Sequence, residues 1–394
     1  MGAYPLEQLV IGGYVAPGFE DVREVFLRNF IDGIEVGASF AVMRDGEMLV
    51  DLWGGFRERA CTSRWHGDTL VNLYSTTKGI ASIAVAVAVD RGKLDYDVPI
   101  AEYWPEFAAH GKGALTVGEV LAHKAGVCGP RARMQATELY DFEHVAAMLA
   151  AMEPWWAPGK AGGYHAITWG FLPGELVRRT CGTTLGQLFN EAVAAKAGAG
   201  DDIYIGMPAA QTHRVAEMIG PNHARIQPPP GPPPVMPALF PVALQNPVVR
   251  PYQDVSTDAW RTAEIAAANG QGNARGLARV YGALAQDGGG IVSPATLARA
   301  TRLEIDGEAD LVLGYRVQRS RGFMHNFAEP GMPRGWGPNP AAFGHNGAGG
   351  SIGFCDPAAR VGCGYAMNQM QPGVESLTRG GQLVNAFYDC LARA

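Results

Sequence analysis

A serine and a lysine three residues apart are the first pair in this sequence whose side chains could do chemistry together. Ser75 and Lys78 form an S-x-x-K motif at the start of an Ala- and Val-rich stretch that predicts a helix. Residues three apart share one helix face, so the hydroxyl and the amine can meet. Burial and the positive end of the helix dipole would both lower the lysine pKa, which lets the amine take the serine proton. The alternative is a helix-capping serine followed by a solvated lysine.

Both residue types are scarce, so chance alone would seldom produce this motif. The 394-residue chain has nine serines and six lysines, the last lysine is Lys196, and S-x-x-K occurs once. A helix N-terminus also offers backbone N–H groups to a developing oxyanion. The pattern therefore favours covalent catalysis at Ser75.

Two other segments carry candidate groups. Tyr164 follows a Gly-rich turn and precedes a predicted helix over 168–179. A phenolate is a strong base if nearby cations lower its pKa. Residues 343–354 are Gly-rich and are predicted to be extended, so that they could line a cleft and lend a backbone N–H to an oxyanion hole. Trp156 would be either a wall of the substrate site or part of the core.

The surrounding elements predict a sheet built from both chain ends with a helical lobe inserted between them. The pattern of apolar and turn residues predicts these elements: a helix over 19–31, a hairpin over 38–55, a strand over 361–367 and a closing helix over 377–391. We expect an α/β domain from residues 1–70 and 280–394, and a mainly helical domain over 71–279. A Pro-rich stretch near 227–237 is expected to be a rigid loop near the cleft.

Three of these segments together resemble the motifs of a known superfamily. They are Ser75-Thr76-Thr77-Lys78, Tyr164 and His345-Asn346-Gly347. They are similar to the motifs of serine β-lactamases and penicillin-binding proteins, in the class C branch, and most closely to those of family VIII carboxylesterases. The resemblance covers about residues 20–390. It implies a β-lactamase/transpeptidase-like fold, with an antiparallel sheet flanked by the N- and C-terminal helices and an all-α lobe inserted as a domain.

The resemblance also implies a role for each residue. Ser75 would be the acylated nucleophile, activated by Lys78, with Tyr164 as proton relay or base. The backbone N–H groups of Ser75 and Ala348 would form the oxyanion hole. The substrate would be bound by His345, Asn346 and Gly347 of the third motif, and Trp156 is a further substrate-binding candidate on its residue type alone.

Departures from the β-lactamase pattern favour esters as substrates. The third β-lactamase motif begins with a lysine that holds the β-lactam carboxylate, but His345 stands here and is mostly neutral at pH 7. Ala166 replaces the asparagine of the class C tyrosine motif. We therefore expect a serine carboxylesterase that cleaves small acyl esters through a Ser75 acyl-enzyme. A β-lactamase or D-amino-acid peptidase, an acyltransferase, and a binding protein that has lost turnover remain as alternatives.

A second serine motif is a decoy. Gly349 to Gly353 matches G-x-S-x-G, the nucleophile elbow of α/β-hydrolases, with Ser351 at its centre. That fold requires a histidine after the serine. No histidine follows His345, so Ser351 is expected to belong to the Gly-rich strand.

Composition excludes several other classes of function. The net charge of −6 and pI of about 5.9 argue against nucleic-acid binding. The six cysteines contain no C-x-x-C, and the nine histidines show no metal-binding spacing. No signal peptide and no bilayer-length apolar run are evident. We expect a cytoplasmic protein with no metal, cofactor or membrane partner, and the sequence does not indicate its oligomeric state.

Overall fold

A nine-stranded antiparallel sheet forms the frame of the molecule, and both ends of the chain build it. The computed structural model describes residues 5–222, 235–328, 334–371 and 379–393. In order of hydrogen bonding, the strands of the large sheet are β1-β3-β2-β12-β11-β10-β9-β8-β7, and β4-β6-β5 form a small second sheet. The strands span Ile11–Val15 (β1), Gly37–Arg44 (β2), Glu47–Gly55 (β3), Val71–Asn72 (β4), Ile203–Tyr204 (β5), Gln271–Gly272 (β6), Ile305–Ala309 (β7), Arg316–Arg319 (β8), Met324–His325 (β9), Phe343–Asn346 (β10), Ile352–Asp356 (β11) and Val361–Met367 (β12).

Helices cover both faces of this sheet. The α-helices span Glu20–Ile31 (α1), Thr76–Asp90 (α2), Val117–Leu121 (α3), Phe142–Ala151 (α4), Phe171–Cys181 (α5), Leu185–Phe189 (α6), Phe240–Leu244 (α7), Asp258–Thr262 (α8), Ala274–Leu284 (α9), Pro294–Ala300 (α10) and Arg379–Leu391 (α11). Short 3-10 helices span Leu6–Gln8, Ile100–Glu102, Pro105–Gly111, Ala136–Tyr140, Thr168–Gly170, Ala209–Arg214 and Asp254–Ser256, and a π-helical turn spans Asn190–Ala194.

Apolar side chains on both faces of the central strands explain why helices cover the sheet on both sides. In β12, Tyr365 and Met367 pack into one core cluster with the terminal helices α1 and α11, while Ala366 faces the core that contains α2 and α9. Residues of opposite parity point to opposite faces of a sheet, so a strand covered on both faces is apolar throughout. All seven residues of β12 are buried. The predicted sheet flanked by the N- and C-terminal helices is confirmed.

Helix α2 is the buried element that carries the S-x-x-K motif. Every residue from Thr76 to Val89 is buried. A helix buried on all sides must use small apolar residues where its neighbours come close. At Gly79, an added Cβ would lie 2.1 Å from the Tyr281 hydroxyl on α9. This close packing fixes the N-terminal turn of α2, where Ser75 lies.

Two details differ from the sequence predictions. Residues 343–354 form a hairpin, β10 and β11 joined by a turn, because the glycines let the chain reverse. The inserted region is not all-α, since the small sheet β4-β6-β5 lies within it. Helix α9 begins at Ala274 and packs on β12 and β2. The two-domain boundaries stay a prediction, and residues 227–234 of the Pro-rich stretch lie outside the described residues.

Within the described ranges, no helix has the length and apolar character needed to cross a bilayer.

Candidate active site

Ser75 lies where a strained loop enters helix α2. Tyr74, immediately before it, has a left-handed φ of 46°, a conformation that a bulky residue adopts only when its surroundings enforce it. The Tyr74 hydroxyl donates a hydrogen bond of 2.6 Å to the Pro251 carbonyl, which anchors the loop. Ser75 is the N-cap residue of α2 and is half-buried, so its side chain reaches solvent from the end of a buried helix.

The structure brings the three predicted reactive side chains together. The Tyr164 hydroxyl donates a 2.7 Å hydrogen bond to Ser75 Oγ. Lys78 Nζ lies 3.1 Å from the same Oγ and 4.7 Å from the centre of the Tyr164 ring. One serine hydroxyl is therefore within hydrogen-bond distance of both an amine and a phenol.

The surroundings of Lys78 favour an uncharged amine. Nζ lies 2.8 Å from the Ala166 carbonyl and 2.9 Å from the Ala267 carbonyl, and no carboxylate in the described parts of the chain pairs with it. Burial, reinforced by the Arg319 charge, holds the pKa of Lys78 well below its ordinary value. A neutral amine has two N–H bonds and one lone pair. The two carbonyls take both N–H bonds, so the lone pair is left to accept the Ser75 proton.

The same burial acts on Tyr164 in the opposite direction. Loss of solvation raises the pKa of Tyr164 above its ordinary value, and this outweighs the lowering by the Ser75 hydrogen bond and the Arg319 charge. The phenol is therefore protonated at rest, as its hydrogen bond to Ser75 requires. A resting tyrosinate base, one of the two sequence hypotheses, is not favoured.

Two buried histidines hold the loop that carries Tyr164 and Ala166. The backbone N–H of His165 donates to His123 Nδ1 at 3.0 Å, and the backbone N–H of Val127 donates to His165 Nε2 at 3.0 Å. His165 Nδ1 donates in turn to the Gly163 carbonyl at 2.7 Å. Burial lowers the pKa of His165 to about 4, so this histidine is a neutral structural link.

A buried ion pair that sequence reasoning missed also fixes this loop. Asp310 accepts the backbone N–H groups of Tyr164 at 3.1 Å and of Val312 and Leu313 at 2.8 Å each. Its other oxygen accepts a short hydrogen bond from Arg319. Both side chains are about 1% exposed or less, and the Arg319 guanidinium carbon lies 5.3 Å from the centre of the Tyr164 ring. Asp310 lies 146 residues after Tyr164 in the sequence, so no local pattern connects the two residues.

Ser75 and Tyr164 open into a cavity of about 330 Å³ with apolar walls. The wall residues include Ile167, Leu244, Val249, Trp260, Leu313 and Met324. No charged side chain of the described residues lines it; the polar groups are hydroxyls, His345 and Asn346. The cavity is therefore suited to an uncharged, largely apolar molecule.

His345 occupies the position of the expected anion clamp but is neutral. Its Nδ1 donates to the Asn346 carbonyl at 2.7 Å, so the buried Nε2 carries a lone pair. No described group forms a hydrogen bond with Nε2. Burial holds the pKa of His345 well below its ordinary value. A lone pair at this place repels a carboxylate.

The remaining predicted residues lie in different places. Ala348 lines the cavity, and the N–H groups of Ser75 and Ala348 donate to no backbone or side-chain group in the described ranges. Trp156 and Gly347 are not among the cavity residues. The Trp156 indole donates to the Ala161 carbonyl at 2.9 Å and packs edge-on against His165, so it supports the loop from outside.

The described residues contain no group of three or more His, Cys, Asp or Glu side chains arranged to hold a metal ion.

Replacing Asp310 by asparagine tests whether the ion pair supports the site. Asp310→Asn keeps an acceptor for the backbone N–H groups but leaves the Arg319 charge buried without its partner. We expect a loss of about 3–5 kcal/mol in the free energy of unfolding, measured by urea denaturation. The double variant Asp310→Asn/Arg319→Gln removes both charges and should recover much of that loss. Equal losses in the single and double variants would contradict this assignment.

Comparisons with known proteins agree with this geometry. The beta-lactamase family model matches residues 26–386. The crystal structure of a family VIII carboxylesterase is 48% identical, covers 97% of this chain and 100% of its own, and has a TM-score of 0.88. A penicillin-binding protein homologue from Caulobacter crescentus is 38% identical, with 97% and 100% coverage and a TM-score of 0.86.

A curated relative gives the same result from sequence. The esterase/beta-lactamase LipL of Mycobacterium tuberculosis is 34% identical over 385 residues, which are 91% of this chain and 83% of the relative. Family match, fold and relatives agree over nearly the whole chain. The chain belongs to the beta-lactamase family, within its family VIII carboxylesterase branch.

Proposed function

We propose that this protein is a serine carboxylesterase that cleaves small, uncharged acyl esters through an acyl-enzyme on Ser75. Ester hydrolysis on a beta-lactamase fold is the activity of the branch to which the chain belongs. One observation carries the residue assignment: a single serine hydroxyl contacts a buried amine and a phenol at an apolar cavity without charged walls.

Acylation follows from the hydrogen bonds at Ser75. The neutral Lys78 amine accepts the Ser75 proton as Oγ attacks the ester carbonyl carbon. Negative charge collects on the carbonyl oxygen, and the N–H groups of Ser75 and Ala348 would stabilise it. When the intermediate collapses, the ester C–O bond breaks, and the Lys78 proton passes through the Tyr164 hydroxyl to the departing alcohol.

Deacylation reverses these proton transfers with water in place of the alcohol. Lys78, neutral again, accepts a proton from water through the Tyr164 hydroxyl, and the resulting hydroxide attacks the acyl carbon. The acid leaves, and Ser75 Oγ regains its proton from Lys78. Lys78 is thus the base in both half-reactions, and Tyr164 is the relay.

The charge of the cavity supports esters over β-lactams or peptides with a free carboxylate. A carboxylate that enters an apolar cavity without a cationic partner loses several kcal/mol of solvation. Lys78 is surrounded by carbonyls, Arg319 is paired with Asp310, and His345 is neutral. Among the described residues, no cation is left at the cavity wall to replace that solvation.

The Lys78→Arg variant distinguishes a mechanism in which Lys78 is the general base from one in which Tyr164 is. Arginine keeps a positive charge but cannot deprotonate, so acylation should slow by on the order of 10²-fold or more. The burst of p-nitrophenol from p-nitrophenyl butyrate, followed by stopped flow, measures acylation directly. In the unaltered enzyme, kcat/KM should rise with pH through an apparent pKa well below the ordinary lysine value, because only the neutral amine accepts the proton.

Lys112→Arg is the matched control. Lys112 is also buried, and its amine donates to the Ala109 and Met152 carbonyls, but no serine lies beside it. This variant should keep the burst. A near-normal burst in Lys78→Arg, together with loss of the burst in Tyr164→Phe, would instead assign the base to Tyr164.

A matched set of three esters tests the proposed preference for uncharged substrates. p-Nitrophenyl butyrate and the p-nitrophenyl monoester of succinate have the same leaving group and acyl chains of four carbons, but the second ends in a carboxylate. We expect kcat/KM for the charged ester to be lower by on the order of 10²-fold, because its solvation is not replaced. The methyl-capped succinate ester restores neutrality at greater length and should recover most of the rate.

Comparable rates for the charged and neutral esters would overturn the preference. Cephalosporin turnover at rates similar to those for esters would then favour the β-lactamase alternative. Absence of all turnover, with no fluorophosphonate adduct on Ser75, would favour a binding protein that has kept only the fold.

We propose a cytoplasmic location. The support is that all six cysteines are unpaired thiols, as is typical of proteins in a reducing compartment. The protein should co-fractionate with a cytoplasmic marker enzyme, and recovery with exported proteins would disprove the proposal.

A further inference from the structure

The decoy serine of the G-x-S-x-G segment has hydrogen bonds that the mechanism does not yet use. Ser351 is fully buried at the end of the β10–β11 turn. Its hydroxyl donates to the Leu73 carbonyl at 2.8 Å and lies 2.9 Å from Thr76 Oγ1. A hydroxyl has one proton, so the Thr76 hydroxyl must be the donor in the second contact. The hydrogen bonds therefore run from Thr76 to Ser351 to Leu73.

These partners flank Ser75 in the chain. Leu73 lies two residues before Ser75, and Thr76 directly follows it. One buried hydroxyl therefore contacts the chain on both sides of the candidate nucleophile, the Leu73 carbonyl before it and the Thr76 side chain after it. Since Thr76 N–H also donates to the Leu73 carbonyl at 3.2 Å, the three groups form a closed unit around Ser75.

The backbone of Ser351 holds the turn that carries Ala348. The Ser351 carbonyl accepts the Gly347 N–H at 2.8 Å, and the Gly347 carbonyl accepts the Gly350 N–H at 3.0 Å. From behind, the Arg379 guanidinium donates to the Gly349 carbonyl at 3.1 Å. The turn thus has a defined shape, and Ser351 belongs both to this turn and to the hydrogen-bonded unit around Ser75.

The turn and the Ser75 loop are in direct contact, which explains the glycine at 347. A Cβ added to Gly347 would lie 2.3 Å from the Leu73 carbonyl oxygen and 2.3 Å from Ser351 Oγ. Any other residue would push the two segments apart. Gly347, which sequence resemblance assigned to substrate binding, instead permits this close approach.

We propose that Ser351 is a positioning residue that sets the spacing between the Ser75 and Ala348 N–H groups, the two donors of the oxyanion hole. The inference rests on the proposed function, since it concerns the same acylation step. An oxyanion hole works only if its donors are already in place, because they must meet the charge as it forms. Through its hydroxyl and its own carbonyl, Ser351 connects the segment that carries the Ser75 N–H with the turn that carries the Ala348 N–H, and this connection provides that placement.

Ser351→Ala tests the proposal through a comparison of transition-state and ground-state binding. We expect the acylation burst with p-nitrophenyl butyrate to slow by about 10- to 100-fold, less than or similar to the loss of one oxyanion donor. Affinity for a butylboronic acid, which forms a tetrahedral adduct on the serine, should fall by a similar factor. The substrate dissociation constant from the burst analysis should stay unchanged, because the cavity walls are unaltered.

Ser39→Ala is the control for a purely structural effect. Ser39 is another buried serine, whose hydroxyl accepts a hydrogen bond from Ala274 N–H at the start of helix α9 and contacts neither the Ser75 loop nor the β10–β11 turn through any hydrogen bond of the described residues. It should lower the melting temperature to a similar extent but keep the burst and the boronate affinity. Thr76→Val removes the hydroxyl that donates to Ser351 and should change the burst and the boronate affinity in the same direction as Ser351→Ala. It therefore tests the proposal even if Ser351→Ala folds poorly.

A normal burst and normal boronate affinity in both Ser351→Ala and Thr76→Val would overturn the positioning role. Loss of substrate binding alone, with unchanged boronate affinity, would overturn it as well. Failure of the proposed function is distinguishable, because the unaltered enzyme would then show no burst at all.

Discussion

Removal of the Lys78 amine from water is the constraint on which the rest of the site depends. Charged lysine would need a carboxylate or solvent, and here it has two carbonyls and a hydroxyl. The fold enforces this by surrounding α2 on all sides, with Ala166 and Ala267 supplied from separate segments. The amine is thereby kept neutral and its lone pair is directed at Ser75. The basicity used in the proposed acylation is thus a consequence of packing, with no acidic partner involved.

A site built around a neutral amine must keep other charges balanced or distant. Arg319 is a buried cation whose charge acts on Lys78, and Asp310 neutralises it while also holding the Tyr164 backbone. His345 is neutral for the same reason that Lys78 is, because both have lost solvent. The whole site is therefore close to electrically neutral at rest. This neutrality favours an uncharged acyl group, so the means of activating the serine and the proposed substrate preference have one origin.

Local sequence patterns predicted most of the frame and the reactive trio. Ser75 and Lys78 are neighbours on one helix turn, and the predicted strand over 361–367 matches β12, because short-range periodicity encodes both. The failures are long-range or depend on tight turns. The Asp310 contact with Tyr164 joins segments 146 residues apart, and no spacing rule reports it. The Gly-rich pattern of 343–354 predicts one extended segment. In the structure these glycines allow a chain reversal, which brings the Ser351 hydroxyl to the Leu73 carbonyl, two residues before Ser75.

Residues outside the reactive trio explain how one trio can serve different chemistries. The Ser-Lys-Tyr arrangement fixes only that an acyl group moves to serine, and relatives named esterase, esterase/beta-lactamase and penicillin-binding protein homologue share this fold. What differs must lie in the groups that contact the rest of the acyl donor. In this chain those groups are mostly apolar side chains, with a few hydroxyls, Asn346 and a neutral histidine. Since an ester already has a good leaving group, it needs no cation to hold it in place, and an apolar cavity beside the reactive trio is sufficient to bind it.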